Sequence, residues 1–350
     1  MWRKGLQIFL ASVLTLLIRV GSGMMVPSIP MIMRDFGVSG RLPLAALLVP
    51  VYVLGLGAGP LLMAPLSKLF GRLRVNHVTN IGVVGFTMLC SFAPSAPLLL
   101  LWRAVVGVFG SCALANGPGV ITDLLPTGRR TIPQSVYHIF RVAGFTIGPI
   151  VGAHLPHDAP WAWRGIFRLH AYAVGAVALA MMVCCRETYA PVLFQRWLDR
   201  TRAEGGCARN RPGFHSRRSA SDVFLDSLVG PFSVFYSSRE CRVYAVLTGA
   251  LYGLQYIMLT TMDFVFLNYF GVILPAGWYY LGFGIGCLLG LPIDWFAPPE
   301  EDRGHHWQAL APRLAGGTFL IFANLLIYGW MTESHTDRMA AFVFFCLIFL

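Results

Sequence analysis

The sequence predicts an all-α polytopic membrane protein, and three observations lead to that fold class. Of 350 residues, 56% are hydrophobic and only 12% are charged, about half of the roughly 25% that is usual in soluble domains. Charge-free intervals of about 20 residues, the length of a membrane-spanning helix, recur along the chain. The basic residues concentrate between those intervals. This composition excludes a soluble two-domain enzyme and a disordered chain.

The expected helices fall into two groups on either side of a basic segment. Six spans are predicted near residues 5–32, 44–66, 76–93, 97–122, 133–155 and 167–185. They form an N-terminal bundle over 1–185. Residues 186–242 carry ten basic residues, and the run 200–218, rich in Arg, Gly and Ser, predicts a flexible central loop.

Further spans are predicted in the second group, near residues 243–266, 276–296 and 313–331. A tenth begins near residue 339 and contains twelve residues, about 18 Å of helix, which is too short to cross a hydrocarbon core of roughly 30 Å. The prediction for 243–350 is therefore an incomplete C-terminal bundle. The whole chain would hold about nine full spans and a partial tenth.

The distribution of Lys and Arg predicts a cytoplasmic N-terminus and central loop. In that orientation nineteen of the 27 basic residues lie inside and five lie outside, in agreement with the positive-inside rule. The other three, Arg19, Arg103 and Arg141, fall within predicted helices. A charge in the membrane is costly unless it is paired or hydrated, so each is a candidate functional residue. The alternative for Arg19 and Arg141 is a position near a helix end, with the side chain extended to the interface.

Several other classes of function are not expected. The net charge of +11 suggests nucleic-acid binding, but the basic residues form no single patch. Glycines of the 282–290 region lie inside an apolar span, which excludes a dinucleotide-binding loop. The sequence contains neither a metal-ligand spacing nor a catalytic constellation. We therefore expect no enzyme activity, no cofactor and no metal site.

The segment between the second and third spans carries the most specific motif. GPLLMAPLSKLFGRLRV, from Gly59 to Val75, resembles the loop motif of the major facilitator superfamily. It is similar to the form found in fungal 12-span drug:proton antiporters, which include polyamine and azole exporters. Further segments extend the resemblance along the chain: PSIPMIMRDFG (27–37), RAVVGVFGSCALANGPGVITDLLP (103–126), GFTIGPIVGA (144–153), WAWRGIF (161–167), ETYAPVL (187–193) and YLGFGIGCLLG (280–290). The resemblance implies the major facilitator fold, here truncated at its C-terminal end.

The loop motif supplies Gly59, Pro60, Lys68, Gly71, Arg72 and Arg74 as candidate functional residues. Gly71 would permit a tight turn, and Arg72 and Arg74 would form a cytoplasmic charge cluster. That cluster either latches helix ends in one conformation or only sets the topology. Relatives carry an acid where Lys68 stands, so the usual pairing of that acid with a base is expected to be missing.

The fifth span carries Gly144, Gly148 and Gly152 at intervals of four residues. One helix face therefore has no side chains, and a neighbouring helix can approach closely. Pro149 is expected to bend this helix. The resemblance implies a hinge and a seal against proton leak, whereas the alternative is close packing alone. Arg141 stands near this seam, where relatives have small residues or Pro, and would place a bulky cation in it.

Candidate residues for proton coupling are Arg103, Asp123 and Asp263. The resemblance implies that Arg103, at the start of the fourth span, takes part in proton transfer, while Asp123 lies near the cytoplasmic end of that span. Asp263 is an acid deep in the seventh span and either titrates there or is solvated near the outer interface. Four aromatic residues of the same region are candidates for lining a cavity between the halves, with packing or lipid contact as the alternative: Tyr252, Tyr256, Phe264 and Phe266.

Two functions follow from these observations. The first is proton-coupled efflux of small drug-like, toxin or polyamine-like compounds, which bind between the halves near the midplane. The resemblance implies a monomer, in the plasma membrane or alternatively the vacuolar membrane. The second is a non-transporting truncated membrane protein or a regulatory membrane binding partner. It is based on the missing end of the fold, on Lys68 in place of an acid, and on Arg19 and Arg141 within predicted helices.

Overall fold

The computed structural model describes residues 2–37, 47–154, 162–203 and 220–265, together with isolated positions between 280 and 330. These residues are organised as helices joined by short connections. The helices are α1 (Trp2–Gly23), α2 (Ile29–Asp35), α3 (Pro50–Phe70), α4 (Arg72–Ser91), α5 (Ala96–Leu124), α6 (Thr131–His154), α7 (Ala162–Cys184), α8 (Ala190–Ala203), α9 (Ala220–Ser237) and α10 (Arg239–Val265). Single 3₁₀ turns occur at Val26–Ser28 and Thr127–Arg129.

The observed helices confirm the all-α fold and the positions of the first seven predicted spans. The first span corresponds to α1, the 3₁₀ turn and α2, and the seventh to α10. Within the described part of the chain, six segments are long and apolar enough to cross a membrane: Trp2–Asp35, Pro50–Phe70, Ala96–Leu124, Thr131–His154, Trp163–Cys184 and Arg239–Thr260. The spans predicted near 276–296, 313–331 and 339–350 lie almost entirely outside the described residues.

Helix α4, the third predicted span, is more polar than its neighbours. It buries Asn76, Thr79 and Asn80, and it packs against α5 and α7. The Asn76 Oδ1 atom accepts hydrogen bonds from the Cys112 thiol and from the Asn116 amide of α5. Buried polar groups need such partners, so the polar face of α4 is turned into the helix bundle.

The N-terminal bundle is held together by three close helix pairs, α3 with α5, α1 with α6, and α4 with α7. At the first crossing, a methyl group on Gly55 would lie 3.0 Å from the Cα atom of Gly107. The two backbones are therefore in direct contact, as small residues permit between membrane helices. The largest hydrophobic cluster, which includes Leu14, Ile18 and Trp163, fills the interior of this bundle.

The two ends of the bundle carry different contacts. At one end, the Asp35 carboxylate of α2 accepts hydrogen bonds from Trp163 Nε1 and Arg164 Nη1 of α7, both at 2.9 Å. We call this the Asp35 end. At the other end, Gly71 joins α3 to α4, and we call this the Gly71 end.

The flanks of the central segment differ from the flexible loop that its composition predicted, while most of the predicted flexible run, 200–218, lies outside the described residues. Residues 190–203 and 220–237 form α8 and α9, and only 204–219 lie outside the described residues. Helix α9 packs against α3, and Lys68 Nζ donates a hydrogen bond to Ser227 Oγ at 3.2 Å. The apolar sequence VFLDSLVGPFSVFY within α9 explains the difference, because it can bury side chains against α3.

Candidate functional site

Gly71 forms the turn between α3 and α4 that the loop motif predicts. Its φ angle is +95°, a conformation that residues with a Cβ atom rarely adopt. A methyl group at this position would also collide with the Glu187 carboxylate. Only glycine therefore satisfies both the backbone angle and the space at this corner.

Arg72 links α4 to α5 at the Gly71 end. Its Nε atom lies 3.0 Å from Asp123 Oδ2, its Nη2 atom lies 3.4 Å from Oδ1, and its guanidinium lies over the Tyr189 ring at 5.5 Å. Lys68 does not take part, because it bonds to Ser227 instead. The carboxylate that pairs with Arg72 comes from Asp123 of α5 and not from the position of Lys68.

Glu187 was not among the residues selected from the sequence, although its carboxylate joins two helix starts. Oε1 and Oε2 accept the backbone N–H groups of Arg72 at 3.1 Å and Leu73 at 3.3 Å in α4. Oε1 also accepts those of Thr188 and Tyr189, both at 3.1 Å, just before α8. Helix N-termini leave such N–H groups unpaired and favour a negative charge. The available sequence signal was the ETYAPVL motif (187–193), which begins with this residue.

Gly144, Gly148 and Gly152 lie against α1. A methyl group on Gly144 would lie 2.7 Å from Leu16 O, and one on Gly148 would lie 2.8 Å from Val20 O. A methyl group on Gly152 would collide with Met24 O. The backbones of α1 and α6 thus touch over two helical turns. Arg141, the bulky cation expected near this glycine-lined contact, donates a hydrogen bond to Tyr252 of α10.

Two arginines connect the N-terminal bundle to α10. Arg141 Nη2 of α6 donates a hydrogen bond to Tyr252, and Arg19 Nη1 of α1 donates to the Tyr256 hydroxyl at 3.3 Å. The Arg19 guanidinium also lies over the Phe145 ring at 4.8 Å. Both tyrosines lie within α10 and not at its ends, which favours a position inside the helix contact over the interfacial alternative. We call these five residues, with α1, α6 and α10 around them, the arginine seam.

The other candidate residues of this region, Asp263, Phe264 and Phe266, cannot be placed relative to the arginine seam. Asp263 and Phe264 lie in the last turn of α10, but their side chains are not among those described. Phe266 lies outside the described residues. Their roles as a proton site and as cavity-lining residues therefore stay predictions.

Arg103 is buried in the interior of the N-terminal bundle, with 2% of its surface exposed. Its Nη1 atom donates to Gly21 O at 2.9 Å, and its guanidinium lies over the rings of Tyr52 at 4.5 Å and Phe167 at 5.8 Å. Among the described residues, Nε and Nη2 have no hydrogen-bond partner. Asp123 lies twenty residues later in the same helix, about 30 Å away at the standard rise, so the structure does not bring these two candidates together.

The described part of the chain contains no group of three or more His, Cys, Asp or Glu side chains suited to a metal ion. The site consists instead of a charge cluster at the Gly71 end, a glycine-lined helix contact, a buried arginine and the arginine seam. Its polar groups lie between packed membrane helices and at their ends.

The family model described as Major Facilitator Superfamily matches residues 11–350. The chain belongs to the Major Facilitator Superfamily. Superfamily members are membrane transporters, so the chain is an integral multi-pass protein of a transporter family and not an enzyme.

Fungal transporters are similar to this chain over nearly its whole length. Efflux pump radE of Floropilus chiversii is 31% identical, with 95% of this chain and 63% of the relative covered. MFS-type transporter tndD of Aspergillus flavipes is 33% identical, with 93% and 63% covered. The chain thus spans just under two thirds of the length of these relatives.

Solved structures of the superfamily share the fold at low identity. The inward-open xylose transporter XylE from E. coli has a TM-score of 0.64 at 14% identity, covering 98% of this chain and 78% of that one. The peptide transporter POT in complex with sulfate has a TM-score of 0.64 at 16% identity, covering 99% and 80%. These likenesses support the major facilitator arrangement of the helices.

Proposed function

We propose that this superfamily member is a proton-coupled exporter of small organic compounds. The observation that carries the proposal is the arginine seam, in which Arg19 and Arg141 of the N-terminal bundle bond to Tyr256 and Tyr252 of the first helix of the second half. Substrate sites of secondary transporters lie near the midplane between such halves. The radE relative is named an efflux pump, which supports the export direction.

The Gly71 end is proposed as the cytoplasmic gate. Arg72, Asp123 and Glu187 join the ends of α4, α5 and α8 there, and the positive-inside distribution of Lys and Arg supports a cytoplasmic location. Breaking and remaking these contacts would open and close that side. The division into a bundle at 1–185, a central segment at 186–242 and a second bundle from 243 belongs to this proposal.

Proton coupling requires a group that gains and loses a proton, and Asp263 is the proposed group. It follows Tyr256 by seven residues on α10, and an acid at that depth is a plausible proton carrier. Arg103 itself keeps its proton, so its proposed part is to hold a fixed positive charge. We further propose that the protein acts as a monomer in the plasma membrane.

Efflux in a yeast strain lacking its drug exporters tests the proposal. The chain would be expressed with surface delivery confirmed, and the efflux of azoles, polyamines and organic dyes measured with and without a protonophore. We expect efflux of at least one compound that the protonophore abolishes. Asp263→Asn should lose that efflux, whereas the matched control Asp226→Asn in the central segment should keep it. No efflux of any compound despite good surface expression would overturn the transporter proposal.

A further inference from the structure

The arginine seam also indicates the chemical class of the substrate. We propose that the seam binds organic anions that carry an aromatic or apolar body next to a carboxylate or a similarly acidic group. This proposal rests on the proposed transport function and narrows it. It replaces the cationic, polyamine-like substrates that the family resemblance implied.

The seam contains two guanidinium groups close to one another. Gly144 of α6 directly abuts the Cβ atom of Arg19, and Arg141 lies one helical turn before that glycine. On α10, Tyr252 and Tyr256 are also one turn apart, and each accepts from one of the arginines. Two positive charges thus lie at adjacent levels of the same contact between the halves.

These charges have only neutral partners among the described residues. Two ion pairs of the described chain lie elsewhere, Arg72 with Asp123 and Arg164 with Asp35. Helices α1 and α6 contain no acidic residue in their sequences, and α10 has only Glu240 in its first turn and Asp263 in its last. Among the described residues, the middle of the seam therefore carries an excess of positive charge, which attracts an anion and repels a cation.

Hydrogen-bond donors also outnumber acceptors in the seam. Arg19 Nε is buried and has no acceptor among the described residues. Because the tyrosine oxygens accept from the arginines, the hydroxyl hydrogens of Tyr252 and Tyr256 point away from them and are donors to a third group. A carboxylate offers several acceptor sites and forms its strongest bonds with guanidinium groups. An incoming anion would thus find donors from both helix bundles.

Phe145 places a buried aromatic ring beside the charges, with 2% of its surface exposed. Its ring contacts the Tyr256 ring edge to face, with 5.4 Å between centroids and 72° between planes, and it lies under the Arg19 guanidinium. An aromatic ligand that takes the place of the Tyr256 edge would keep this ring contact. The seam therefore suits an aromatic acid better than a small inorganic anion.

Two xanthene dyes of similar size provide the test. Purified chain in detergent would be titrated against 6-carboxyfluorescein, an anion, and against rhodamine 123, a cation, with fluorescence anisotropy as the measurement. We expect binding of carboxyfluorescein at least about tenfold tighter than binding of rhodamine. Arg19→Gln and Arg141→Gln should each weaken anion binding about tenfold or more, as the loss of a charge-assisted hydrogen bond predicts. Arg19→Lys should retain part of the affinity.

The matched control is Arg129→Gln, at an exposed position in the 3₁₀ turn of the Gly71 end, which should bind both dyes like the parent chain. Size-exclusion profiles would establish that each variant is folded. Equal affinity for the two dyes, tighter binding of the cation, or anion binding that is unaffected by both glutamine substitutions would overturn the proposal. Binding in detergent does not require transport, so a failure of yeast efflux with intact anion binding would contradict the exporter function alone.

Discussion

The carboxylate of Glu187 accepts the backbone N–H of Arg72 at 3.1 Å, across a separation of 115 residues in the sequence. The same carboxylate accepts N–H groups at the start of α8, while the Arg72 side chain pairs with Asp123 of α5. Glu187 thus connects the start of α4 with the segment between α7 and α8. Because helix N-termini stabilise negative charge, the contact does not depend on the Arg72 guanidinium.

Replacing Glu187 by alanine should destabilise the Gly71 end. The substitution removes the acceptor for N–H groups of two helix starts, and the loss of a helix cap typically costs about 0.5–2 kcal/mol of unfolding free energy. We expect a lower midpoint in thermal unfolding of the detergent-solubilised protein, with Glu187→Gln intermediate because it keeps an acceptor oxygen. Glu240→Ala, at an exposed first-turn acid of α10, should change the midpoint much less. Equal shifts for the two alanine variants would contradict the capping role.

Arg72 and Asp123 should show energetic coupling that Lys68 does not share. A double-mutant cycle of Arg72→Gln and Asp123→Asn should give a coupling of about 0.5–1 kcal/mol, the range for a partly exposed ion pair. A parallel cycle of Lys68→Gln with Asp123→Asn should be additive, because Lys68 bonds to Ser227 of α9. Chemical unfolding in detergent would measure both cycles. Coupling in the second cycle would show that Lys68 belongs to the latch.

Gly148→Ala should force α1 and α6 apart at their contact and lower the stability of the bundle. The added methyl group would lie 2.8 Å from Val20 O and 3.2 Å from Met24 N, which are backbone atoms that cannot rotate away. We expect a loss of roughly 1–3 kcal/mol in unfolding free energy, as for other overpacked helix contacts, measured by chemical unfolding in detergent. The matched control is Gly85→Ala in α4, where nothing lies within 4 Å of the new methyl group. That control should be neutral or slightly stabilising, since alanine favours helix over glycine.

The part of this structure that could be predicted from the sequence is the part determined locally. Charge-free intervals of about membrane-spanning length predicted the positions of α1 to α7 and α10. The glycine before Arg72 predicted the turn at Gly71. The partner of Glu187 and the bond between Arg19 and Tyr256, 237 residues apart, could not be predicted, because they depend on how the helices pack. Composition did not predict α9, because the arginine-rich run beside it led to the prediction of a loop for the whole segment.

Arg103→Met and Arg103→Ala should have opposite effects on stability although both remove the charge. The guanidinium is buried, and among the described residues it has one hydrogen-bond acceptor, Gly21 O, and two aromatic rings, with no carboxylate. Replacing a buried charge by an apolar side chain of similar length is often neutral or stabilising by about 1–4 kcal/mol. Truncation to alanine instead leaves a cavity among Tyr52 and Phe167 and should cost about 2–5 kcal/mol.

Thermal unfolding in detergent would measure both Arg103 variants, and protonophore-sensitive efflux would report on function. If Arg103 serves transport, Arg103→Met should keep or raise the unfolding midpoint while efflux is lost. An equal drop in midpoint for both variants would contradict this expectation. It would mean that the bond to Gly21 and the contacts with the two rings stabilise the fold by more than burial of the charge costs. Arg103 would then act chiefly by holding the end of α1 in place.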